Sequence, residues 1–227
     1  MAENKRTRGA CAYCGREFAR AGMTRHLASC PEREKVVEAA NGQPGETGPL
    51  IHLQVQDAWG GDYWLHLEMA GSATLKQLDK YLRAIWLECC GHLSQFSVGG
   101  WRGEEIGMTR KAAQVFRLGV ELTHIYDFGT ESVTLVRAMD TRTGRPTTRH
   151  PIALMARNLA PGYECQECGG PATRLCLECA YEDERPGTLC GEHARGHPHE
   201  DYGEPMPLVN SPRVGLCGYE GPAEPPY

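Results

Sequence analysis

Cysteine and histidine side chains that could bind metal are concentrated at the two ends of the 227-residue chain. Near the N-terminus, in CAYCGREFARAGMTRHLASC, two residues separate Cys11 from Cys14 and three separate His26 from Cys30. The first spacing is typical of a zinc-binding knuckle, and the second places both side chains on one face of a helix. Because thiolate and imidazole are ligands that zinc prefers, these four residues predict a tetrahedral zinc site.

This N-terminal pattern, C-x2-C-x11-H-x3-C, resembles the two-Cys two-His zinc-finger family, with cysteine as the last ligand and a loop one residue shorter than usual. The resemblance implies a finger over residues 1–34, for which Phe18, Met23 and Leu27 can supply a small core. A unit of this size depends on its metal for folding. Its basic surface suits contact with phosphates, and a purely structural role is the alternative. The basic side chains are Lys5, Arg6, Arg8, Arg16, Arg20 and Arg25.

A second run of potential ligands lies in residues 161–227, a C-terminal module that ends in a Pro- and Gly-rich tail. The run holds four ligand pairs, enough for two zinc ions: Cys165 and Cys168, Cys176 and Cys179, Cys190 and His193, His197 and His199. Their order resembles the B-box family of cross-brace modules, which implies that alternate pairs share an ion. In the alternative, sequential arrangement, the first two pairs share one ion. Cys217 is an alternative ligand to His199.

The chain is therefore expected to bind three zinc ions, one in the finger and two in the C-terminal module. No hydrophobic stretch follows the charged N-terminus, and no apolar run approaches the ~18 residues of a membrane span. These features predict a cytoplasmic protein without a membrane segment. Cysteines in such a compartment are kept reduced, which favours metal ligation over disulfides for the eleven cysteines of the chain.

Charge is unevenly distributed along the chain, whose formal net charge is -5. Residues 1–49 carry eight Lys and Arg against six Asp and Glu, residues 50–160 twelve against eleven, and residues 161–227 four against twelve. This asymmetry predicts weak nucleic-acid contact at the finger and an unidentified protein partner for the C-terminal module. A solvated acidic face is the alternative. The acidic side chains of the module include Glu178, Glu182, Asp183, Glu184, Glu192, Glu200, Asp201 and Glu204.

The elements that must position these sites are predicted for residues 50–160, after a flexible linker over residues 35–49. Alternating apolar residues on both sides of WGGD predict a hairpin. Thr74 and Gln77 have capping-box spacing, and apolar residues at intervals of three and four predict a helix ending at Gly91. SQFSV, ELTHIYDFG, ESVTLVRAM and HPIALMARN predict strands, and TRKAAQVF a short helix. The predicted fold is α+β, with the order ββαβαβββ and a mainly antiparallel sheet with packed helices.

The end of the long helix, IWLECCGHLSQF, carries a further group of cysteine and histidine residues. Cys89 continues the apolar stripe, and Cys90 follows Trp86 by four residues at its edge. A helix C-terminus disfavours a thiolate, so catalysis by these thiols is not expected. Core packing is the preferred interpretation, and a metal site that includes His92 is the alternative.

The stretch LDKYLRAIWLECCGHLSQF, followed by THIYDFG and IALMARN, resembles the plasmid Ri ORF-three-like family, which includes passenger proteins of insertion elements. The similarity covers roughly residues 50–160, and PLVNSPRVGLCGYEG resembles the ends of some members. It implies an α+β fold and a mobile-element or plasmid context. It supplies no catalytic residues.

The overall interpretation is a zinc-binding, non-enzymatic adaptor of mobile-element lineage. The alternative is a nucleic-acid-processing enzyme with a site on the central sheet. Convergence of His66, His124, Asp127 or His92 on one pocket would favour the enzyme, whereas polar strand residues facing water explain the same pattern. The loop RAMDTRTGRPTTRH offers four arginines to a phosphate backbone, with a solvated turn as the alternative. These are Arg137, Arg142, Arg145 and Arg149.

Overall fold

The structure, a computed structural model, describes residues 7–199 and 201–227. Its N-terminal elements are β1 (Arg8–Cys11), β2 (Glu17–Ala19), α1 (Arg20–Ala28) and α2 (Pro31–Asn41). The central elements are β3 (Gly48–Asp57), β4 (Trp64–Ala70), α3 (Leu75–Leu82), a π-helical turn (Arg83–Leu87), β5 (Ser94–Val98), β6 (Glu104–Ile106), α4 (Ala112–Val115), β7 (Glu121–Tyr126), β8 (Ser132–Gly144) and β9 (Ile152–Asn158). The C-terminal elements are β10 (Arg174–Leu175), α5 (Leu177–Tyr181), β11 (Thr188–Leu189), α6 (Gly191–Ala194), β12 (Met206–Pro207) and a 3-10 turn (Leu216–Gly218).

The first nine strands form one antiparallel sheet in the order β2-β1-β9-β4-β3-β8-β7-β5-β6. The expected α+β class with a mainly antiparallel sheet is confirmed. β3 and β4 form the hairpin predicted around WGGD. The predicted element order lacks one strand, because β6 pairs with β5 in a second short hairpin. Its three residues are too few to produce a recognisable alternation.

The central helix begins where the sequence predicts and ends earlier. Thr74 and Gln77 form the capping box. Regular helix stops at Leu82, and the π-helical turn that follows ends at Leu87 rather than Gly91. The Glu88 carboxylate accepts hydrogen bonds from Arg83 (2.6 Å) and from the Gly91 N–H (2.6 Å). These side-chain contacts replace the next helical turn, so the two cysteines after Glu88 lie beyond the helix.

One face of the sheet carries the main hydrophobic core. Ile51, Leu53 and Val55 on β3 alternate with polar residues and pack, together with Leu65 and Leu67 on β4, against α3 and the π-helical turn. The sequence pattern matches both layers: apolar residues recur at every second position in the strands and about every 3.6 residues in the helix.

The opposite face of the sheet is covered by the N-terminal finger instead of by water. Trp64 is fully buried in a cluster with Met23 and Leu27 of α1. Next along the same face, His66 is fully buried, and Glu68 is 4% exposed. The finger is also joined to the sheet by backbone hydrogen bonds, since β1 pairs with β9 from Gly9 to Cys11. Solvation of the polar strand residues, the simpler sequence explanation, is therefore wrong for this face.

The linker predicted over residues 35–49 is largely regular structure. α2 continues to Asn41, and β3 begins at Gly48. Pro31 at the first turn and two glutamates near the helix N-terminus favour this helix, and the Gly- and Pro-rich connection is confined to residues 42–47.

The Pro- and Gly-rich tail returns to the central domain. Ser211 donates a hydrogen bond to the carbonyl oxygen of Trp86 (2.5 Å), and Arg157 donates to the carbonyl oxygen of Asn210 (2.6 Å). Tyr219 is 2% exposed, and Tyr227 stacks on His150 at 4.0 Å between ring centroids. The tail is thus part of the packed structure.

Candidate metal centres

The N-terminal group is positioned by β1 and the two first helices. Cys11 is the last residue of β1, and the Gly15 N–H closes the knuckle by donating to the Cys11 carbonyl oxygen (2.8 Å). His26 lies in the last turn of α1. Cys30 is the N-cap of α2. The break between α1 and α2 at this residue places the Cys30 side chain near Cys11 and Cys14.

The ligand atoms of Cys11, Cys14, His26 and Cys30 all lie within 4.8 Å of one another. The Cys14 Sγ is 3.3 Å from the His26 Nε2. Around a tetrahedral zinc ion, sulfur and nitrogen ligands at their usual bond lengths are about 3.6 Å apart. The group therefore has the donors and the spacing of a closed four-ligand zinc site.

Burial favours the protonated form of one cysteine at this site when no metal is bound. Cys11 and Cys30 are each 2% exposed. Burial raises the pKa of the Cys11 thiol to about 11, so the free thiol stays protonated at neutral pH. A bound zinc ion would displace that proton and hold the sulfur as thiolate.

In the C-terminal module, alternate ligand pairs come together. Cys165, Cys168, Cys190 and His193 form one group with ligand atoms within 4.8 Å. The His193 Nδ1 lies 3.5 Å from the Cys165 Sγ and 3.2 Å from the Cys190 Sγ. Pairing of β10 with β11 brings the two halves of the group to one end of the small sheet.

The second C-terminal group contains Cys176, Cys179, His197 and His199, again with ligand atoms within 4.8 Å. The Cys179 Sγ lies 3.3 Å from the His197 Nε2 and 3.3 Å from the His199 Nδ1. The other ring nitrogen of His199 is 3.6 Å from the Asp183 carboxylate. A carboxylate behind a histidine ligand orients its ring toward the metal.

These two groups have the interleaved arrangement of a cross-brace, and the sequential alternative does not occur. Cys165 and Cys176 belong to different groups. His199 is a member of the second group. Cys217, the alternative to His199 as a ligand, lies outside both groups and next to Asp127.

Backbone amides prepare the first C-terminal group for a metal. Burial raises the pKa of the Cys165 thiol. Hydrogen bonds from the backbone N–H groups of Cys190, Glu167 and Cys168 have the opposite and larger effect, and the resulting pKa is about 6. Cys165 is thus a thiolate at neutral pH, in contrast to Cys11. We attribute the difference to the backbone donors that converge on Cys165.

Of the polar residues considered for a site on the central sheet, His66, His124 and Asp127 lie apart, and His92 alone approaches one of them, at 3.5 Å from Asp127. His66 Nδ1 lies 2.8 Å from His52 Nε2 beneath the finger. His124 Nε2 lies 2.9 Å from Asp79 on the helix side. Asp127 accepts a hydrogen bond from Arg213 (2.7 Å). Each of these three residues thus contacts a different neighbour, and the second ring nitrogen of His66, Nε2, is buried without a hydrogen-bond partner among the described residues.

The predicted arginine-rich loop is partly strand, since Arg137 and Arg142 lie in β8 and Arg145 and Arg149 follow it, and most of these arginines contact protein acceptors. Arg142 donates through Nε and Nη2 to both oxygens of Glu68, at 2.8 and 2.6 Å. Arg145 donates to the Gln43 carbonyl oxygen (2.5 Å), and Arg137 pairs with Glu121 (2.7 Å). Arg149 contacts only the neighbouring His150 ring (3.4 Å) among the hydrogen bonds of the described residues. This arrangement stabilises the loop rather than presenting a row of cations.

Around the cysteines after α3, the structure adds one residue that the sequence analysis did not single out, Arg213. Cys89 is half-buried against the core, as expected from the stripe, whereas Cys90 is exposed. His92 lies 3.5 Å from Asp127, and the fully buried Arg213 contacts Cys89. The sequence feature that could have indicated this cluster is a single arginine, Arg213, in a Pro- and Gly-rich tail that also contains Cys217.

Comparison with known proteins finds no matching family model and no matching curated protein. Among solved structures, the crystal structure of a protein of unknown function from Methanosarcina mazei Go1 is similar, with 19% sequence identity and a TM-score of 0.41. The similarity covers 54% of this chain and 75% of that one. A TM-score below 0.5 supports no conclusion about fold or function.

Helices in the described part of the chain are all too short or too polar to cross a bilayer.

Proposed function

We propose that this chain is a zinc-binding, non-enzymatic adaptor in which three zinc ions hold the finger and the C-terminal module in shape. The observation that carries the proposal is the presence of three groups of four cysteine and histidine residues, each with its ligand atoms within 4.8 Å. Four protein ligands leave no open coordination position, which is typical of structural zinc rather than catalytic zinc.

The experiment is native mass spectrometry of the purified chain before and after chelation. We expect a mass increment of three zinc ions that a strong chelator removes. Cys14→Ser and Cys168→Ser should each lower the count by one, because they change different groups. Cys90→Ser is the matched control and should leave the count at three. A count of two or fewer in the unmodified protein would contradict the proposal.

The adaptor role is supported by the acidic surface of the C-terminal module. Of the eight acidic residues of the module named from its sequence, six are exposed, where they favour a basic protein partner and repel nucleic acid. They are Glu182, Asp183, Glu184, Glu192, Asp201 and Glu204. Glu200 lies outside the described residues. Charge reversal at these positions should abolish capture of a partner from a lysate while leaving the zinc count unchanged.

Weak nucleic-acid contact through the finger is the second part of the proposal. Arg16 and Arg25 are exposed, whereas Arg20 donates to the Gly61 carbonyl oxygen (3.3 Å). Lys5 and Arg6 lie outside the described residues. Because α1 packs on the sheet, only its outer edge is available to phosphates. Binding should be electrostatic and fall as salt rises. Unchanged binding after Arg16→Glu and Arg25→Glu would place any contact elsewhere.

The mobile-element or plasmid lineage is likewise a proposal, supported by the sequence resemblance of residues 50–160. A cytoplasmic location, with the reduced thiols that it provides, is the compartment that suits such a zinc protein.

A further inference from the structure

The C-terminal tail inserts one arginine into the central domain. The Arg213 side chain is fully buried. It donates hydrogen bonds to the Thr130 carbonyl oxygen (2.9 Å), the Ser132 hydroxyl (3.0 Å) and the Asp127 carboxylate (2.7 Å). Its guanidinium also lies over the ring of Tyr126, at 4.8 Å from the centroid. A buried cation with this many contacts is held in one orientation.

The same guanidinium meets two sulfur atoms. Its Nε is 3.3 Å from the Cys89 Sγ, and its Nη2 is 3.3 Å from the Cys217 Sγ. Nε and Nη2 form one edge of the guanidinium, the edge with which Arg142 holds both oxygens of Glu68. Both sulfurs therefore contact the same edge of a buried cation. Within residues 7–199 and 201–227, arginine donates to sulfur only here.

A guanidinium beside a sulfur stabilises the thiolate. Burial raises the pKa of the Cys89 thiol, but the hydrogen bonds from Arg213 and Tyr126 lower it more, so the net shift is downward. The pKa of the exposed Cys90 thiol shifts the other way, because it lies beside Cys89. The contacts with Arg213 and Tyr126 thus distinguish the Cys89 thiol from the neighbouring Cys90 thiol.

A metal ion fits this cluster less well than it fits the three zinc groups. Two groups here, Cys89 with Cys90 and His92, and His92 with Asp127 and Cys217, each offer only three ligand atoms within 4.8 Å of one another. Arg213 already contacts Cys89 of the first group and Asp127 and Cys217 of the second. The Asp127 oxygens accept hydrogen bonds from the Gly129 N–H (2.9 Å) and from Arg213. His92 lies 3.5 Å from the same carboxylate. A second cation here would be repelled by the guanidinium.

We propose that Cys89 is a nucleophilic thiolate that reacts with hydrogen peroxide and is then joined to Cys217 by a disulfide. In the first step the Cys89 sulfur attacks one peroxide oxygen, an S–O bond forms, the O–O bond breaks, and hydroxide leaves to become water. In the second step the Cys217 thiol attacks the resulting sulfenic acid and gives up its proton. An S–S bond forms, the S–O bond breaks, and the departing hydroxide takes up the thiol proton as a second water.

Cys217 is a better partner for Cys89 than Cys90 is. Consecutive Cα atoms across a trans peptide are about 3.8 Å apart, below the ordinary range of disulfides. Cys217 belongs to a different segment, in a turn where its φ is 51°. The Cys89–Cys217 bond would connect the end of the π-helical segment to the tail and retain the tail on the central domain. This reaction is independent of the zinc sites.

The test uses the full-length, zinc-loaded protein at neutral pH. Limiting iodoacetamide followed by peptide mass spectrometry should show Cys89 alkylated about tenfold faster than Cys90 or Cys217, since an ordinary thiol is only a few per cent thiolate at pH 7. Hydrogen peroxide should produce the Cys89–Cys217 disulfide. In Cys217→Ser, a dimedone probe should instead trap the sulfenic acid at Cys89. In Cys90→Ser, the matched control, the disulfide should form as in the unmodified protein.

Three results would overturn the proposal. The first is equal alkylation of Cys89 and Cys90. The second is a Cys89–Cys90 disulfide after peroxide treatment. The third is protection of Cys89 that a chelator releases, together with a fourth zinc ion in the native mass, which would make the cluster a metal site.

Discussion

At the scale of single residues, polar side chains beneath the finger interact with each other instead of with water. His52 and His66 share a 2.8 Å contact between ring nitrogens and are 7% and 0% exposed. Burial, the largest cause, lowers the pKa of His52 to about 4 and that of His66 to about 3. Both rings are therefore neutral in the folded protein at neutral pH.

This pair predicts a loss of stability on mild acidification. Below the ordinary histidine value of 6.5, the unfolded chain takes up protons that the folded chain does not accept until about pH 4. The unfolding free energy should thus be highest above 6.5 and fall with pH, by roughly 2 kcal/mol for the pair between about pH 6.5 and 5.5. Chemical denaturation at a series of pH values measures this slope.

A variant separates the histidine contribution from proton competition at the zinc ligands. His52→Gln keeps a hydrogen-bonding group near His66 and removes one of the two titrating rings. It should remove about half of the slope attributed to the pair. An identical slope in the variant would show that zinc loss, not the histidine pair, causes the acid sensitivity.

Residue spacing predicted which cysteines and histidines come together in the three groups of four, but not the thiol cluster around Arg213, and sequence separation explains why. Cys11 and Cys14, or Cys165 and Cys168, are local pairs whose spacing alone carries chemical meaning. Arg213 meets Cys89 across 124 residues. Nothing in either local segment specifies that contact, which exists because the tail returns to the central domain.

At the scale of elements, the finger is an extension of the sheet. Its sequence predicts a self-contained unit, because the ligand pattern and the small core are local. The pairing of β1 with β9 is not local, and it requires a close approach at Gly9. A Cβ atom at this position would collide with the Arg157 carbonyl oxygen and with the Trp64 ring. The absence of a side chain at Gly9 therefore permits the join.

Gly9→Ala should separate β1 from β9 and destabilise the protein by about 2 kcal/mol or more, the range typical of overpacking. Thermal and chemical unfolding measure the change. Gly22→Ala is the matched control, because its Cβ would lie 3.6 Å from Phe18, at ordinary contact distance, within α1. This helix substitution should be neutral or stabilising by about 0.5–1 kcal/mol. Equal effects of the two substitutions would argue against a tight β1–β9 join.

At the scale of the whole molecule, the candidate metal groups at the two ends are packed differently. The N-terminal ligands Cys11 and Cys30 belong to one packed cluster with Trp64 and Met155 of the central sheet. The C-terminal ligands form a separate small cluster around Leu189. The sequence predicted a finger and a C-terminal module that are both separate from the central domain. It does not show that the apolar residues of the finger pack with those of the sheet.

Loss of zinc should therefore affect the central sheet only when it occurs at the N-terminus. Cys14→Ser and Cys168→Ser each change one accessible ligand, so little packing is lost directly. In Cys14→Ser, we expect amide hydrogen exchange in β9 and β4 to accelerate by about tenfold or more, because the finger no longer covers their outer face. In Cys168→Ser, exchange should increase within residues 161–199 and remain unchanged in β9 and β4. Hydrogen-exchange mass spectrometry of both variants compares them directly. If the two variants left β9 and β4 equally protected, the finger would be an appendage after all, and its zinc would stabilise only the finger itself.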